Sequence, residues 1–315
     1  MDFHTRVAFG PIRNPFFCET EEDIFYETGF SKEALEHLFF FLNLREGIAL
    51  LIGEDGAGKT TVLKKFADRV ADKYLPIFLD GKHKEKKELV NEIFERFINR
   101  PVTSTRMDFK EVLADIVSIS LKISKELVLI VDDAHFLSKE TLKFLLCLSG
   151  LEFGPYRLFH IILAGNWLLL ERLKKKGMAE IVKRISVIHF MRPMLYSEAK
   201  FYINHRLNMA LSLTLTIKEK ALEMIFSESK GNLYKFNKTL SEAYCLAKYR
   251  RSEIIDEKIA NLALESGRTD SKGTLKTLRV LFFVILYSFL FLVLIFGEES
   301  FLRLLISGFF NLFGR

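Results

Sequence analysis

The 315-residue sequence predicts an α/β fold: a five-stranded parallel sheet with helices on both faces, then a small α-helical domain and one apolar helix near the C-terminus. Three observations predict it. Short apolar runs bounded by turn signals alternate with stretches of helical spacing, the pattern of parallel strands buried on both faces. One of those runs leads directly into a glycine-hinged loop and a helix. Near the other end, Val280 to Phe296 carries no charged residue.

Each element follows in order. Ser31 is placed to cap a helix through KEALEHLFFFLNL, and IALLI (48–52) is the first strand. TVLKKFADRVADKY is helical by spacing. LPIFLD (75–80), LVLIVDD (127–133), LFHIILAG (158–165) and ISVIHF (185–190) supply the remaining four strands, with helical patterns between them. Downstream of Pro193 no strand signal recurs. Helices are expected at about 197–210, 216–228, 232–249 and 256–265, and the polar, basic stretch 265–279 reads as a linker or frayed helix.

Composition narrows the class. A content of 49% hydrophobic and 27% charged residues is that of a globular chain with a real core. The net charge of +6 is modest, and the basic runs Lys82–Lys87 and Lys174–Lys176 read as solvated surface rather than a nucleic-acid patch. Three scattered cysteines without a C-x-x-C pair give neither a disulfide framework nor a zinc site. The histidines show no metal-ligand spacing, and the N-terminus shows no cleavable signal pattern.

The chemistry starts at Gly53-Glu54-Asp55-Gly56-Ala57-Gly58-Lys59-Thr60-Thr61, which satisfies G-x-x-x-x-G-K-[ST] between a strand and a helix. Glycines let backbone N–H groups converge on phosphate oxygens, and the following helix adds its positive dipole end. Lys59 is placed to reach the β- and γ-phosphates of ATP, and Thr60 to ligate Mg²⁺. Strand three ends in Asp132 and Asp133. Two carboxylates closing a buried strand need a cation or a partner, because desolvating charge is costly. Asp132 is expected to hold Mg²⁺ and Asp133 to orient or deprotonate the attacking water; the alternative is that the pair caps the helix starting near Ser138.

With these motifs in place, the sequence resembles the AAA+ ATPases of the general secretion pathway A (ExeA-type) and mannose-sensitive pilus biogenesis (MshM-type) families. The resemblance runs from NPFFCETEEDIFYETGFSKEALEHLFFFL (14–42) through GEDGAGKTT, LVLIVDDAHFL, IILAGNWLLL, KRISVIHFMRPM and YINHRL, covering about residues 14–265. It implies a nucleotide-binding core over 1–192 and a helical lid over 193–266; beyond its reach, the residues themselves give a linker over 267–279, a transmembrane helix over 280–296 and a short amphipathic tail over 297–315. It also implies that Asn166 senses the γ-phosphate and that Arg184 enters a neighbouring subunit's site, the alternative being that Arg184 pairs with a surface acid; the position of the family's second-sensor arginine is held here by Tyr234, with Lys235 beside it. Asp133 stands where the family usually has Glu. One methylene less retracts the carboxylate by about 1 Å, a misplacement that can cost about a hundredfold in rate, so slow hydrolysis is expected.

The same resemblance implies a homo-oligomer acting with envelope secretion or pilus assembly proteins, and no nucleic-acid partner is expected. The other readings are a DNA-binding regulatory ATPase like the transposition partners MuB and TniB, and a nucleotide-dependent scaffold with weak turnover. At the helical rise, Val280–Phe296 extends about 26 Å, close to a bilayer core. Arg268, Lys272, Lys276 and Arg279 precede it and Glu298 and Glu299 follow it. The positive-inside rule then gives a single pass through a bacterial inner membrane, with the ATPase domain cytoplasmic. Arg303, Ser307, Asn311 and Arg315 form a polar stripe that suits an interfacial helix. ExeA-type members carry a peptidoglycan-binding region after their span; only residues 297–315 follow here, so cell-wall binding is not expected.

Overall fold

The computed structural model describes residues 14–16, 25–82, 86–98, 118, 125–153, 156–210 and 214–266. Residues up to Ala260 form one compact unit; a second begins at Asn261, and only 261–266 of it are described. The linker, the apolar run Val280–Phe296 and the tail lie outside the described residues. Among the described residues, no helix is long and apolar enough to cross a membrane.

The five expected strands form one parallel sheet. They are β1 (Ile48–Ile52), β2 (Tyr74–Asp80), β3 (Glu126–Asp132), β4 (Phe159–Gly165) and β5 (Ile185–Phe190), in the spatial order β2-β3-β4-β1-β5. Every residue of β1 and β4 is buried, the one polar side chain among them, His160, being paired with Glu126 at 2.7 Å, whereas β5, at an edge, alternates along its length. β2 is the opposite edge, and only there can Pro76 sit in a strand without removing a ladder hydrogen bond. The pairs Ile52↔Gly165, Val131↔Leu163 and Asp80↔Asp132 bring the C-terminal ends of four strands to a common rim. That rim carries the chemistry.

Helices cover both faces. Ile48, Leu50, Leu129, Ile161 and Leu163 point to one face, where they join Leu89 and Ile93 of α3 (Lys86–Ile98) and Leu142, Leu145 and Leu148 of α4 (Lys139–Ser149) in the main core. Each such fully buried aliphatic side chain is worth about 1.5–3 kcal/mol relative to exposure. On the other face lie α1 (Gly29–Leu44) and α2 (Lys59–Val70), joined by Phe39 against Phe66 with ring centroids 5.3 Å apart. The expectation that Ser31 caps α1 is corrected: Thr28 is the cap, its hydroxyl oxygen accepting from Ser31 N at 3.3 Å. Two hydroxyl residues stand three apart, and the helix starts at the earlier one because Phe30 gains burial by joining the first turn. After β4 come α5 (Trp167–Leu173) and α6 (Ala179–Lys183).

Past Pro193 the chain is helical in α7 (Tyr196–Met209), α8 (Glu219–Ser229), α9 (Leu233–Tyr249) and a further helix over 257–266. Two expectations fail here. Thr216–Ile217 is extended, not helical, and pairs in parallel with Ile254–Ile255, so strand structure does recur after Pro193. A second short pairing, antiparallel, joins Glu152–Phe153 to Tyr156–Arg157. Ladders of two residues are too short to carry a periodic signal. Arg192 fastens the start of α7 to α1 by bridging Glu198 at 2.8 Å and Glu33 at 3.0 Å.

The N-P-F lead-in has a structural task. Asn14 Nδ2 donates to Ser241 Oγ on α9 at 2.7 Å, Pro15 O accepts from Arg206 Nε on α7 at 2.7 Å, and Phe16 is fully buried. A segment at the chain start thus ties two helices that lie about two hundred positions later.

Candidate active site

At the rim, the backbone turns from β1 into the loop Gly53–Gly58 and then into α2. Gly56 (φ +82°) and Gly58 (φ +92°) hold the left-handed conformations that glycine tolerates, and Gly53 N donates to Gly165 O at 3.1 Å, docking the loop on β4. No side chain caps the N-terminus of α2, so its first N–H groups face the loop's concavity. Lys59 is buried. Its ammonium donates to Gly53 O at 2.9 Å and Glu54 O at 3.0 Å, and lies 3.8 Å from the Asp55 carboxylate.

Thr60 and Asp132, 72 positions apart, meet here: Thr60 Oγ1 donates to Asp132 Oδ2 at 2.5 Å, while Asp132 Oδ1 accepts from Asp133 N at 2.9 Å. Burial pushes the Asp132 carboxyl above the ordinary carboxylate range, against the opposing pull of those two hydrogen bonds. A buried carboxylate beside a hydroxyl offers hard oxygens of the kind Mg²⁺ takes, and a cation there would offset the cost of burying the charge. Together with the left-handed loop and the open helix N-terminus, these residues fit a magnesium nucleotide.

Asp133 has φ +48°, a turn conformation that swings its carboxylate off the strand line. Its Oδ2 lies 2.8 Å from Lys82 Nζ, and that contact raises the lysine's pKa. Neither aspartate side chain caps α4, because Ser138 does so by accepting from Thr141 N at 3.1 Å, and Asp133 precedes the short turn Ala134–Phe136 without a side-chain capping bond. Asn166 N-caps α5: its Oδ1 accepts from Leu168 N at 3.1 Å, leaving Nδ2 near the Asp55 carboxylate at 3.4 Å. Lys59, Thr60, Thr61, Asp133 and His135 line one cavity of about 450 Å³, together with Tyr26 and Tyr202.

Arg184 stands elsewhere. It precedes β5, and Ile48↔Ile185 pair at the opposite end of the sheet from Ile52 and the loop. Four residue steps along β1 put about 13 Å between those ends. Its exposed guanidinium rests against Gly150, and among the described residues no ion pair engages it.

Three contributors escaped the sequence reading. Lys82, assigned there to a solvated run, sits beside Asp133. His135, one of the histidines without metal-ligand spacing, lies in the cavity two positions past Asp133 in DDAHFL. Asn232 lies next to the segment where a sensor was sought: its Nδ2 donates to Asp55 O at 2.9 Å, and Tyr234 N donates to Gly56 O at 3.0 Å. The start of α9 therefore sits on the loop backbone. A Cβ on Gly56 would come within 2.6 Å of Tyr234 Cβ and 2.8 Å of Asn232 Oδ1, besides paying about 1–2 kcal/mol for φ > 0. Gly56→Ala is expected to push α9 off the loop and weaken nucleotide affinity at least about tenfold, read by titration with a fluorescent nucleotide. Unchanged affinity would mean that this contact is passive.

Comparison with known proteins agrees with the geometry. Residues 43–173 match the family model described as AAA domain, a range that includes β1, the loop, Asp132, Asp133 and Asn166. The chain is 25% identical over 270 residues to general secretion pathway protein A of Aeromonas hydrophila, covering 84% of this chain and 49% of that protein. It thus spans about half the length of that relative. Among solved structures it is similar to Cdc6p of Pyrobaculum aerophilum (TM-score 0.60, 18% identity, 76% of this chain and 67% of that one). It is likewise similar to the ORC2 protein of Aeropyrum pernix in its ADPNP–ADP complexes (TM-score 0.61, 16% identity, 81% and 71%). At such identities the two structures speak for the fold alone.

Proposed function

We propose that this AAA+ P-loop ATPase, similar to general secretion pathway protein A, couples binding and hydrolysis of ATP with Mg²⁺ to assembly of a bacterial secretion or type IV pilus-like envelope apparatus. The observation that carries the catalytic part is the meeting at one rim of Lys59, Thr60 and Asp133, which line one cavity, with Asp132 hydrogen-bonded to Thr60. Lys59 and the loop N–H groups hold the phosphates, Thr60 and Asp132 hold the metal, and Asp133 aligns the attacking water. When bound, Mg²⁺ supplies charge neutralisation at the phosphates. Asn166 reads the terminal phosphate from the end of β4, and Tyr26 and Tyr202 offer the base an apolar wall.

Arg184 acts in a neighbouring subunit, since its place below the sheet keeps it out of its own cavity. Arg184→Ala is expected to lower turnover at least about 100-fold with ATP affinity retained. Mixing it with Asp133→Asn subunits should restore part of the rate, because only mixed neighbours contribute an intact site and an intact arginine. No recovery on mixing would rule out action between subunits.

For the envelope part, the support is the name of the relative and the uncharged run Val280–Phe296 with its flanking charges. We assign the protein to the inner membrane in a single pass, its ATPase domain facing the cytoplasm, assembled as a homo-oligomer. The test is fractionation after gentle lysis: the full chain should sediment with membranes, resist alkaline washing and be released by detergent. Recovery in the supernatant would overturn the anchoring.

A further inference from the structure

We propose that His135 is a positioning residue for hydrolysis, a bridge that holds Asp133 in register with Asn166. This rests on the roles given above to those two residues. His135 is 6% exposed and lines the cavity, and its Nδ1 has no hydrogen-bond partner among the described residues. A buried unpaired polar atom costs about 1–3 kcal/mol, so its retention at a reactive rim calls for a use.

The ring's neighbours define that use. Asn166 Nδ2 lies 3.4 Å from Nε2, and Asp133 Oδ1 lies 3.9 Å from Nδ1. The amide cannot be turned round, because Asn166 Oδ1 is committed to Leu168 N as the cap of α5. Nε2 therefore faces a donor and must accept. Burial disfavours the imidazolium and lowers the histidine pKa, although Asp133 and Asp55 pull the other way. In the neutral ring the proton then belongs to Nδ1, aimed at the Asp133 carboxylate. Closing that gap by about 1 Å makes the hydrogen bond.

The backbone is braced for this. Arg172 of α5 donates to the carbonyls of His135 and Leu137, so the helix that Asn166 caps also grips the turn that carries His135. The Phe136 ring packs on the imidazole at 4.2 Å between centroids. A movement of Asn166 toward a phosphate is thereby transmitted to Asp133 through one ring and one short helix.

The test uses the full chain with His135→Phe, which keeps a ring without nitrogens, and His135→Gln, which restores an acceptor and a donor. His135→Phe should lower kcat about 10- to 100-fold with ATP KM and fluorescent-nucleotide affinity unchanged, and His135→Gln should recover most of it. In an Asp133→Asn background, His135→Phe should add nothing further. ¹⁵N shifts of histidine-labelled protein should show Nδ1 protonated and Nε2 bare at neutral pH. An unchanged kcat in His135→Phe, a full additional loss in the Asp133→Asn background, or the opposite tautomer would overturn the proposal. If instead Asp133→Asn itself hydrolyses ATP like the wild type, the reading of Asp133 fails, and the bridge fails with it.

Discussion

Replacing Lys59 by methionine is expected to weaken ATP binding about 100-fold or more and leave the fold intact. The lysine is buried at the loop's centre with its ammonium on two loop carbonyls, Gly53 O and Glu54 O. Charge-assisted hydrogen bonds are worth about 1.5–3 kcal/mol each, and every 1.4 kcal/mol is about tenfold in affinity. Two bonds redirected to phosphate oxygens therefore account for the loss. Methionine keeps most of the buried stem volume, and the carbonyls it leaves can bind water from the cavity. Equilibrium titration with a fluorescent ATP analogue checks it, alongside thermal melting. An affinity within threefold of wild type would remove Lys59 from the phosphate site.

The second large effect is at Asp133. Asp133→Asn removes the carboxylate that faces the cavity and should lower kcat about 10²–10⁴-fold while nucleotide affinity holds, because Asp132 and Thr60 are untouched. Asp133→Glu should act in the opposite direction. The native carboxylate is engaged at 2.8 Å by Lys82, and a longer side chain reaches past that contact toward the phosphates by about 1 Å, a distance that can matter about a hundredfold. Steady-state phosphate release, measured for both variants at saturating ATP, decides the matter. A glutamate variant no faster than wild type would refute the idea that the short carboxylate limits turnover.

Local chemistry was readable wherever one element contained it. β1 and β5 run between the residues expected from IALLI and ISVIHF, and the glycine loop falls between its strand and helix as its spacing demands. Misreadings came where the signal was shorter than a period, as at Thr216–Ile217, or where two residues of one type competed, as Thr28 did with Ser31. Lys82 looked like a solvated lysine because the sequence around it is basic; the parallel pairing Asp80↔Asp132 is what carries it to Asp133.

The amino-acid order alone specifies the strand and helix alphabet, the phosphate loop, the acidic end of β3 and the uncharged run at 280–296, because hydrophobic spacing, glycine freedom and charge act within a few residues. Only the folded chain determines that Thr60 touches Asp132, that Asn232 and Tyr234 settle on the loop, that Arg184 lies at the far end of the sheet, and that His135 stands between Asp133 and Asn166. Those relations depend on strand register and on crossovers that join positions as far apart as Gly56 and Tyr234, and no local pattern encodes a distance of that kind.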